Sequence, residues 1–185
     1  AEVLDADSCE LYTDVSGVFT TDPRLVPEAT KIKRISFDEM LEMCATGCPK
    51  PAMRSVEYAS RHGVALHVRS AFTWEPGTWI VEEDPDMEQA VIRGITHDPS
   101  QAKVTVTDLP DRPGVAGTLF RSLADRQVNV DMIVQNTSED RKTDISFTVP
   151  HEELDVTMAV SNELLGDLEA TAVSASSEIA RVSVI

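Results

Sequence analysis

The clearest alternation of apolar and polar residues along the chain lies at 102–149. The segment AKVTVTD alternates with a period of two, which predicts a strand with one buried face. The prolines and glycine of DLPDRPG then break the chain, and Val115, Leu119 and Leu123 recur at helical spacing. VNVDMIV and DISFTV predict two further strands, separated by the polar loop QNTSEDRKT.

A second helix and a fourth strand complete this pattern. The stretch 151–168 predicts a helix whose apolar side chains are Leu154, Met158, Leu164 and Leu165, and TAVSA predicts the last strand. A β-α-β-β-α-β order predicts a small ferredoxin-like domain. The closing residues ARVSVI begin one more strand, which faintly repeats AKVTV.

The first part of the chain predicts a separate α/β unit. A helix is expected at 35–47, where Ser36 and Glu39 have the spacing of a capping box and Gly47 supplies the stop. The other elements expected here are an extended segment with a turn at 9–20, a helix at 52–62 and a strand at 64–72.

An acidic stretch with a proline, EEDPDME at 82–88, is the predicted domain boundary. It divides the chain into a first domain at 1–81 and a second at 89–176, which includes an additional strand at 90–96. Residues 177–185 are left as the beginning of a further, incomplete domain.

Composition narrows the classes of function. The chain carries 16 lysines and arginines against 32 acidic residues, a net charge of −16, which repels phosphate backbones and argues against nucleic-acid binding. No apolar run has the length of a membrane span, and no signal peptide is visible. Three cysteines, an odd number, fit a reducing compartment, so a cytoplasmic location is expected.

The residues with the most suggestive chemistry lie where the helix after DLPDRPG begins. The backbone N–H groups of 114–116 are unpaired at a helix N-terminus and can hold a carboxylate. If the following strand ends nearby, Asp111, Gln135 and Asn136 can recognise an ammonium or amide group. A plain helix start beside a solvated loop accounts for the same residues, so both interpretations stand.

The segments QAKVTVTD, DRPGVAGTLF, VNVDMIVQNTS and TDISFTV resemble the first ACT domain of aspartate kinases, especially actinobacterial ones. In that family ACT domains pair edge to edge and bind threonine or lysine at the interface of the pair, which implies a homodimer. There the strand before the domain belongs with the paired ACT domain. The effector contacts implied by the resemblance are Asp111, Gly114, Val115, Ala116, Gln135, Asn136, Ser138 and Thr143.

The first part resembles the C-terminal part of the amino-acid-kinase catalytic domain of the same family. The matching segments, in the family's order, are YTDVSGVFTTDPR, RISFDEMLEM, RSVEYASRHGV, HVRSAF and PGTWI. The first of them lines the ATP site in the family, which implies nucleotide contacts at Thr13, Asp14, Phe19 and Arg24. The family's lysine after the first helix implies a further contact at Lys50. Such side chains at strand ends can hold ribose, metal or phosphate, and a strand end and an Asp-Pro turn are the structural alternatives.

Two departures from the family pattern bear on activity. The family has Gly-Ser-Lys or Gly-Ala-Lys after the first helix, whereas the aligned position here is Pro49 and Lys50 stands one residue later, before Pro51. The family's N-terminal half, with the rest of the active site, is also absent. Because phosphoryl transfer depends on positioning and cationic stabilisation, this chain alone is expected to be inactive. An expressed segment, a proteolytic core and a dedicated truncated homologue all remain open.

Cys44 and Cys48 are four residues apart and would share a face if the helix continued. A metal or redox pair is one interpretation. Two ligands without a third give it little support, and small buried cysteines are the alternative.

Three functions follow from these residues. The chain is a regulatory portion of an aspartate kinase that senses threonine or lysine, as a homodimer with or without a separate catalytic subunit. Alternatively it is a catalytic piece of an enzyme that makes 4-phospho-L-aspartate from ATP, Mg²⁺ and L-aspartate. The third hypothesis is a non-catalytic amino-acid-binding homologue that kept the fold, for which the unusual stretch CATGCPKPAM is the support.

Overall fold

The computed structural model describes residues 1–83, 91–137 and 142–185. They form two compact units, Ala1–Asp98 with Arg181–Ile185, and Pro99–Ala180. Most of the predicted boundary at 82–88 lies outside the described residues, so the linker stays a prediction. No helix in the described ranges is long and apolar enough to cross a membrane.

Ten strands and four α-helices are described. In chain order they are β1 (Ser8–Thr13), β2 (Arg34–Ser36), α1 (Phe37–Thr46), α2 (Met53–Arg61), β3 (Ala65–Ser70), β4 (Thr78–Val81), β5 (Ile95–Asp98), β6 (Gln101–Pro110), α3 (Val115–Asp125), β7 (Ile133–Thr137), β8 (Lys142–Pro150), α4 (Leu154–Glu163), β9 (Ala172–Ser176) and β10 (Arg181–Val184).

The first unit contains a four-stranded sheet in the order β1-β3-β4-β2. β1 is parallel to β3 and β2 is parallel to β4, while β3 and β4 are antiparallel. Alternate strand positions and one face of each helix form a single apolar core, in which Ile35, Met40, Val56, Val68 and Ile80 are fully buried.

Helix α1 begins and ends where the sequence predicts. The Ser36 hydroxyl accepts a hydrogen bond from the Glu39 N–H at 3.2 Å, and the Glu39 carboxylate accepts one from the Ser36 N–H at 3.0 Å. This reciprocal pair is a capping box. At the other end Gly47 has φ 131°, and the Cys48 N–H donates to the Met43 carbonyl at 2.8 Å. The predicted helix and both of its boundary signals are therefore confirmed.

Strands β5 and β10 form a separate antiparallel pair that contacts the C-terminal end of α1. Arg181 donates to the Ala45 carbonyl at 3.2 Å, and the hydroxyls of Thr96 and Thr46 lie 2.7 Å apart. A Cβ added at Gly47 would lie 2.7 Å from the carbonyl oxygen of a β5 residue, so glycine permits this close contact. The strand predicted at 90–96 is observed later, at Ile95–Asp98, because its pairing with β10 sets its bounds.

The second unit has the predicted β-α-β-β-α-β order. Its sheet runs β7-β8-β6-β9 and every pair is antiparallel, which is the ferredoxin-like arrangement. Helices α3 and α4 contribute to a core in which Val104, Val106, Leu119, Leu123 and Phe147 are buried. The fold class predicted from the sequence is confirmed for this unit.

The bounds of two predicted elements in the second unit are wrong. VNVDMIV was expected to be a strand throughout, yet β7 begins only at Ile133, and the residues before it make irregular bonds to Thr148. Helix α4 is shorter than the predicted 151–168. Leu154, Met158 and Leu164 of the predicted apolar stripe do pack against the core, but they are half-buried, and the fully buried positions of the helix are Thr157, Val160 and Ser161. The Thr157 hydroxyl donates to the Glu153 carbonyl at 2.7 Å, so a polar side chain faces the core with its donor satisfied.

The carboxylate of Glu39 also connects the start of α1 to the segment before β5. Arg93 Nε donates to Glu39 Oε1 at 2.8 Å. Burial tends to raise the pKa of Glu39, but hydrogen bonds from the Ser36 N–H, Arg93 and the Ser36 hydroxyl outweigh it and hold that pKa below its usual value. A carboxyl with a depressed native pKa stabilises the fold at pH values above its unfolded pKa, and this contribution is lost as the pH falls through the native pKa.

We therefore predict that Glu39→Gln lowers the free energy of unfolding by about 1 kcal/mol at pH 7, because the amide can still cap the helix but carries no charge for Arg93. The difference from the native chain should shrink as the pH is lowered from 7 towards about 3, because protonation of Glu39 removes the charge that Arg93 contacts. Urea denaturation at the two pH values measures it. Glu42→Gln, on the exposed side of the same helix, is the control, and an equal loss for Glu39→Gln at both pH values would contradict the prediction.

Candidate functional site

The end of β1 and the loop after α1 meet in the first unit. Asp14 directly follows β1, and its carboxylate forms an ion pair with the ammonium of Lys50. The hydrogen bond from Lys50, then its charge, and more weakly the charge of Arg24, hold the pKa of Asp14 below its usual range. Lys50 therefore reaches the strand end although Pro49 occupies the position expected for the lysine.

Two thiols contact the segment that carries Lys50. Cys48 Sγ lies 3.2 Å from the Lys50 carbonyl oxygen, and Cys44 Sγ lies 3.3 Å from the Pro51 carbonyl oxygen. Burial raises the pKa of Cys44 to about 12 and also raises that of Cys48. In the described ranges no group of three or more His, Cys, Asp and Glu side chains is arranged to hold a metal ion.

The other residues implied for a nucleotide site are engaged in local structure. The Thr13 hydroxyl accepts the Val15 N–H at 3.1 Å and so stabilises the turn after β1. Arg24 forms a two-pronged ion pair with Asp22, with Nη2–Oδ2 at 2.7 Å and Nε–Oδ1 at 3.0 Å, and this pairing holds the pKa of Asp22 down. Phe19 is half-buried beside Lys31, with which it forms a β-bridge.

The first candidate region therefore contains two ion pairs, Lys50 with Asp14 and Arg24 with Asp22. The charge of Arg24 acts on Asp14 as well as on Asp22, so the pairs form one electrostatic cluster. Lysine and arginine are the side chains that bind phosphate groups, and carboxylates bind divalent cations. An anion entering this cluster would compete with Asp14 for Lys50.

The second candidate region lies at one end of the sheet of the second unit. Thr143 is in register with Leu109 of β6 and with Thr137 of β7, so the end of β6, the end of β7 and the start of β8 share one edge. Asn136 and the exposed Gln135 belong to this end of β7. The buried Thr143 donates its hydroxyl to the Asn136 carbonyl at 2.7 Å, a bond within the protein.

The N-terminus of α3 is open at this end. Gly114 precedes the helix with φ 97°, and a Cβ added there would meet no atom within 4 Å. The side chain of Val115 is buried in the core and that of Ala116 packs against it, so these two residues can offer a ligand their backbone N–H groups. Asp111 is exposed, and Ser138 lies outside the described residues.

One acidic residue in this region was not foreseen. Asp108 sits at a register shift between Val106 and Leu109 with φ 60°, and its N–H donates to Asp144 Oδ1 at 2.9 Å. Its carboxylate lies 3.7 Å from Lys142 Nζ. An aspartate that interrupts an alternating strand two residues before a proline is a signal of such a bulge, and it adds negative charge to this end of the sheet.

A polar cluster on the first unit's sheet was also missed. Glu10 accepts hydrogen bonds from Tyr12 at 2.7 Å and Arg69 at 3.0 Å, and the ring of His67 lies 3.3 Å away. Trp79 stacks on His67 with ring centroids 4.0 Å apart. The sequence signal for this cluster is the alternation of polar residues in ELY and HVR, which lie in adjacent parallel strands. The hydrogen bonds of the Glu10 carboxylate are all made to groups of the protein itself.

Residues 1–70 match the model of the amino acid kinase family, and residues 104–163 match an ACT domain model. The aspartokinase of Mycolicibacterium smegmatis is 53% identical over 152 residues, which are 80% of this chain and 36% of the relative. The aspartokinase of Corynebacterium efficiens is 45% identical over 189 residues, which cover 100% of this chain and 45% of the relative.

Among solved structures, aspartokinase III of E. coli in complex with lysine and aspartate is similar, with a TM-score of 0.75 and 27% identity over 100% of this chain and 41% of that chain. The chain thus spans less than half the length of each of these three relatives. The order of the two matched segments is the order of the two units described above. The chain therefore belongs to the aspartokinase family, and it carries an amino acid kinase segment followed by an ACT domain.

Proposed function

We propose that this chain is the effector-binding portion of an aspartate kinase, in which the ACT domain binds lysine or threonine as a feedback signal. The whole protein would transfer a phosphoryl group from ATP to L-aspartate and form 4-phospho-L-aspartate. The observation that carries the proposal is the open N-terminus of α3 at Gly114. It lies at the end of an ACT-domain sheet, the kind of place where a free amino acid can be held.

The chemistry of this region suits both ends of an amino acid. The unpaired N–H groups at the start of α3 carry partial positive charge and accept a carboxylate. Asp108 and Asp111 supply negative charge for an ammonium group, and Gln135 and Asn136 supply amides. The related E. coli enzyme was solved with lysine and aspartate, which supports lysine as an effector, and threonine remains the alternative.

The ion pair of Lys50 and Asp14 supports a contribution to an ATP site. A bound phosphate would take the place of Asp14 on the Lys50 ammonium, and the released carboxylate would be free to contact ribose or a magnesium ion. Thr13, Phe19 and Arg24 belong to the same region of the chain and are proposed as the remaining nucleotide contacts.

The chain also supports a route from effector to kinase segment. Both covalent connections to the ACT unit run through the strand pair β5/β10, since β5 ends at Asp98 and β10 begins at Arg181. This strand pair contacts the C-terminal end of α1 through Thr96 and Arg181, and Lys50 follows that helix end. An effector that favours one position of the strand pair would therefore favour one position of Lys50.

A thermal-shift panel tests the proposal directly. We expect lysine or threonine, but not methionine or isoleucine, to raise the unfolding temperature of the chain, with about 2.7 kcal/mol of stabilisation at 100 times the Kd. ATP with Mg²⁺ should raise it too, and Lys50→Gln should remove the ATP shift while Lys33→Gln, an exposed lysine elsewhere, retains it. No shift with either lysine or threonine would contradict the effector proposal.

Substitutions at Gly114 separate charge from backbone strain. Gly114→Asp places an anion where the effector's carboxylate is proposed to lie and should weaken lysine or threonine binding at least about tenfold, or about 1.4 kcal/mol. Gly114→Asn places a side chain of nearly the same shape at φ 97° without the charge, and so controls for backbone strain. Calorimetric titration of both variants with lysine and threonine measures the affinities. An equal loss of affinity in the two variants, or no loss in Gly114→Asp, would place the site elsewhere.

The exposed edge of the ACT sheet is proposed as the surface through which two copies pair. In the described part of the second unit β7 hydrogen-bonds only to β8, and Met132, Ile133 and Val134 are about half exposed. Val134→Lys should shift the dimer towards monomer in sedimentation velocity, because a charged edge opposes strand pairing. Val182→Lys, at an exposed valine on β10, is the control, and a strictly monomeric native chain at high concentration would contradict this prediction.

A further inference from the structure

The segment that carries Lys50 has almost no backbone donors of its own. Pro49 and Pro51 lack an N–H group, so Lys50 supplies the single N–H of 49–51. In the described residues, none of these three positions takes part in a backbone–backbone hydrogen bond. Groups that donate to the carbonyl oxygens are therefore the means by which this segment can be held in place.

Cys44 and Cys48 provide such donors. Cys48 Sγ donates to the Lys50 carbonyl at 3.2 Å and Cys44 Sγ donates to the Pro51 carbonyl at 3.3 Å. Both side chains pack against the core of the first unit, and Pro51 is buried. The carbonyl groups of Lys50 and Pro51 are thus held by one thiol near the C-terminal end of α1 and one that follows the helix.

The protonation state of the two thiols suits donation. Burial raises the pKa of Cys44 to about 12, with a smaller contribution from neighbouring Cys48, and burial also raises the pKa of Cys48. Both therefore remain neutral S–H groups at physiological pH, and only the neutral form can donate. The same burial argues against a nucleophilic or easily oxidised pair, because reactivity needs the thiolate.

We propose that Cys44 and Cys48 are positioning residues for Lys50, whose thiols hold the carbonyl groups of Lys50 and Pro51 so that the ammonium meets Asp14. The inference gives a role to the unusual stretch CATGCPKPAM, in which the lysine stands one residue late. It deepens the proposed function, since it rests on Lys50 as a nucleotide contact, but the positioning itself is measurable without any nucleotide.

The pKa of Asp14, followed by carbon-detected NMR titration of its carboxyl group, reports whether Lys50 is in place. Lys50→Ala defines how far the pKa of Asp14 rises when the ammonium is removed and Arg24 is still present beside Asp14. We expect Cys44→Ala/Cys48→Ala to raise the pKa of Asp14 to the Lys50→Ala level. Cys44→Ser/Cys48→Ser should keep it low, because a hydroxyl also donates.

Cys9→Ala is the matched control, since Cys9 packs against the same core and lies on β1, away from the Lys50 segment in sequence. It should leave the pKa of Asp14 unchanged. If the double alanine variant does not fold, the titration of Cys48→Ala decides, because Cys48 holds the carbonyl of Lys50 itself.

Two results would overturn the inference. One is a folded alanine variant in which the pKa of Asp14 stays at the native value. The other is a serine variant in which the pKa of Asp14 rises as far as in the alanine variant. That result would show that the packing of the sulfur atoms matters and that hydrogen-bond donation does not. An unchanged melting temperature with ATP in the native chain would instead remove the nucleotide site, and would leave the positioning result intact.

Discussion

The first unit depends on the fixed ends of one ten-residue helix, α1. At its start the carboxylate of Glu39 is shared between the helix cap at Ser36 and the guanidinium of Arg93. At its end Gly47 lets the backbone of β5 approach, and Arg181 donates to the last turn. Because both ends are held by contacts distant in sequence, the helix cannot shift along its axis without breaking a buried or charge-assisted bond.

The same helix is the element through which the proposed regulation would act. The ACT unit is inserted between β5 and β10, so the chain enters and leaves it through strands that contact α1. The same helix end carries Cys44, and the Lys50 segment follows it. In the proposed regulation an effector need not contact the ion pair of Lys50 and Asp14. Breaking the contacts of the strand pair with the C-terminal end of α1 would be enough to change the position from which Lys50 reaches Asp14.

The sequence predicts the features that depend on residues close together in the chain, and it misses those that depend on residues far apart. The bounds of α1 rest on Ser36, Glu39 and Gly47, all within one short stretch, and local signals suffice. The start of β5 depends on pairing with residues that lie more than eighty positions later, which no local pattern contains. Pro113 and Gly114 are enough to predict the start of α3. The bulge at Asp108 depends in addition on the register with β8, which the local sequence does not contain.

The candidate phosphate contact is also limited by its own neighbours. Lys50 and Arg24 are each paired with a carboxylate, in a chain whose net charge is −16. A bare triphosphate would meet as much negative as positive charge there, and would have to displace Asp14 as well. If the proposed site binds a nucleotide, binding is expected to be more favourable for an anion whose charge is already offset by a divalent cation, since the displaced carboxylate then gains a partner in place of Lys50. In the proposed ATP site, the ion pair would therefore favour a metal-bound nucleotide over a free anion.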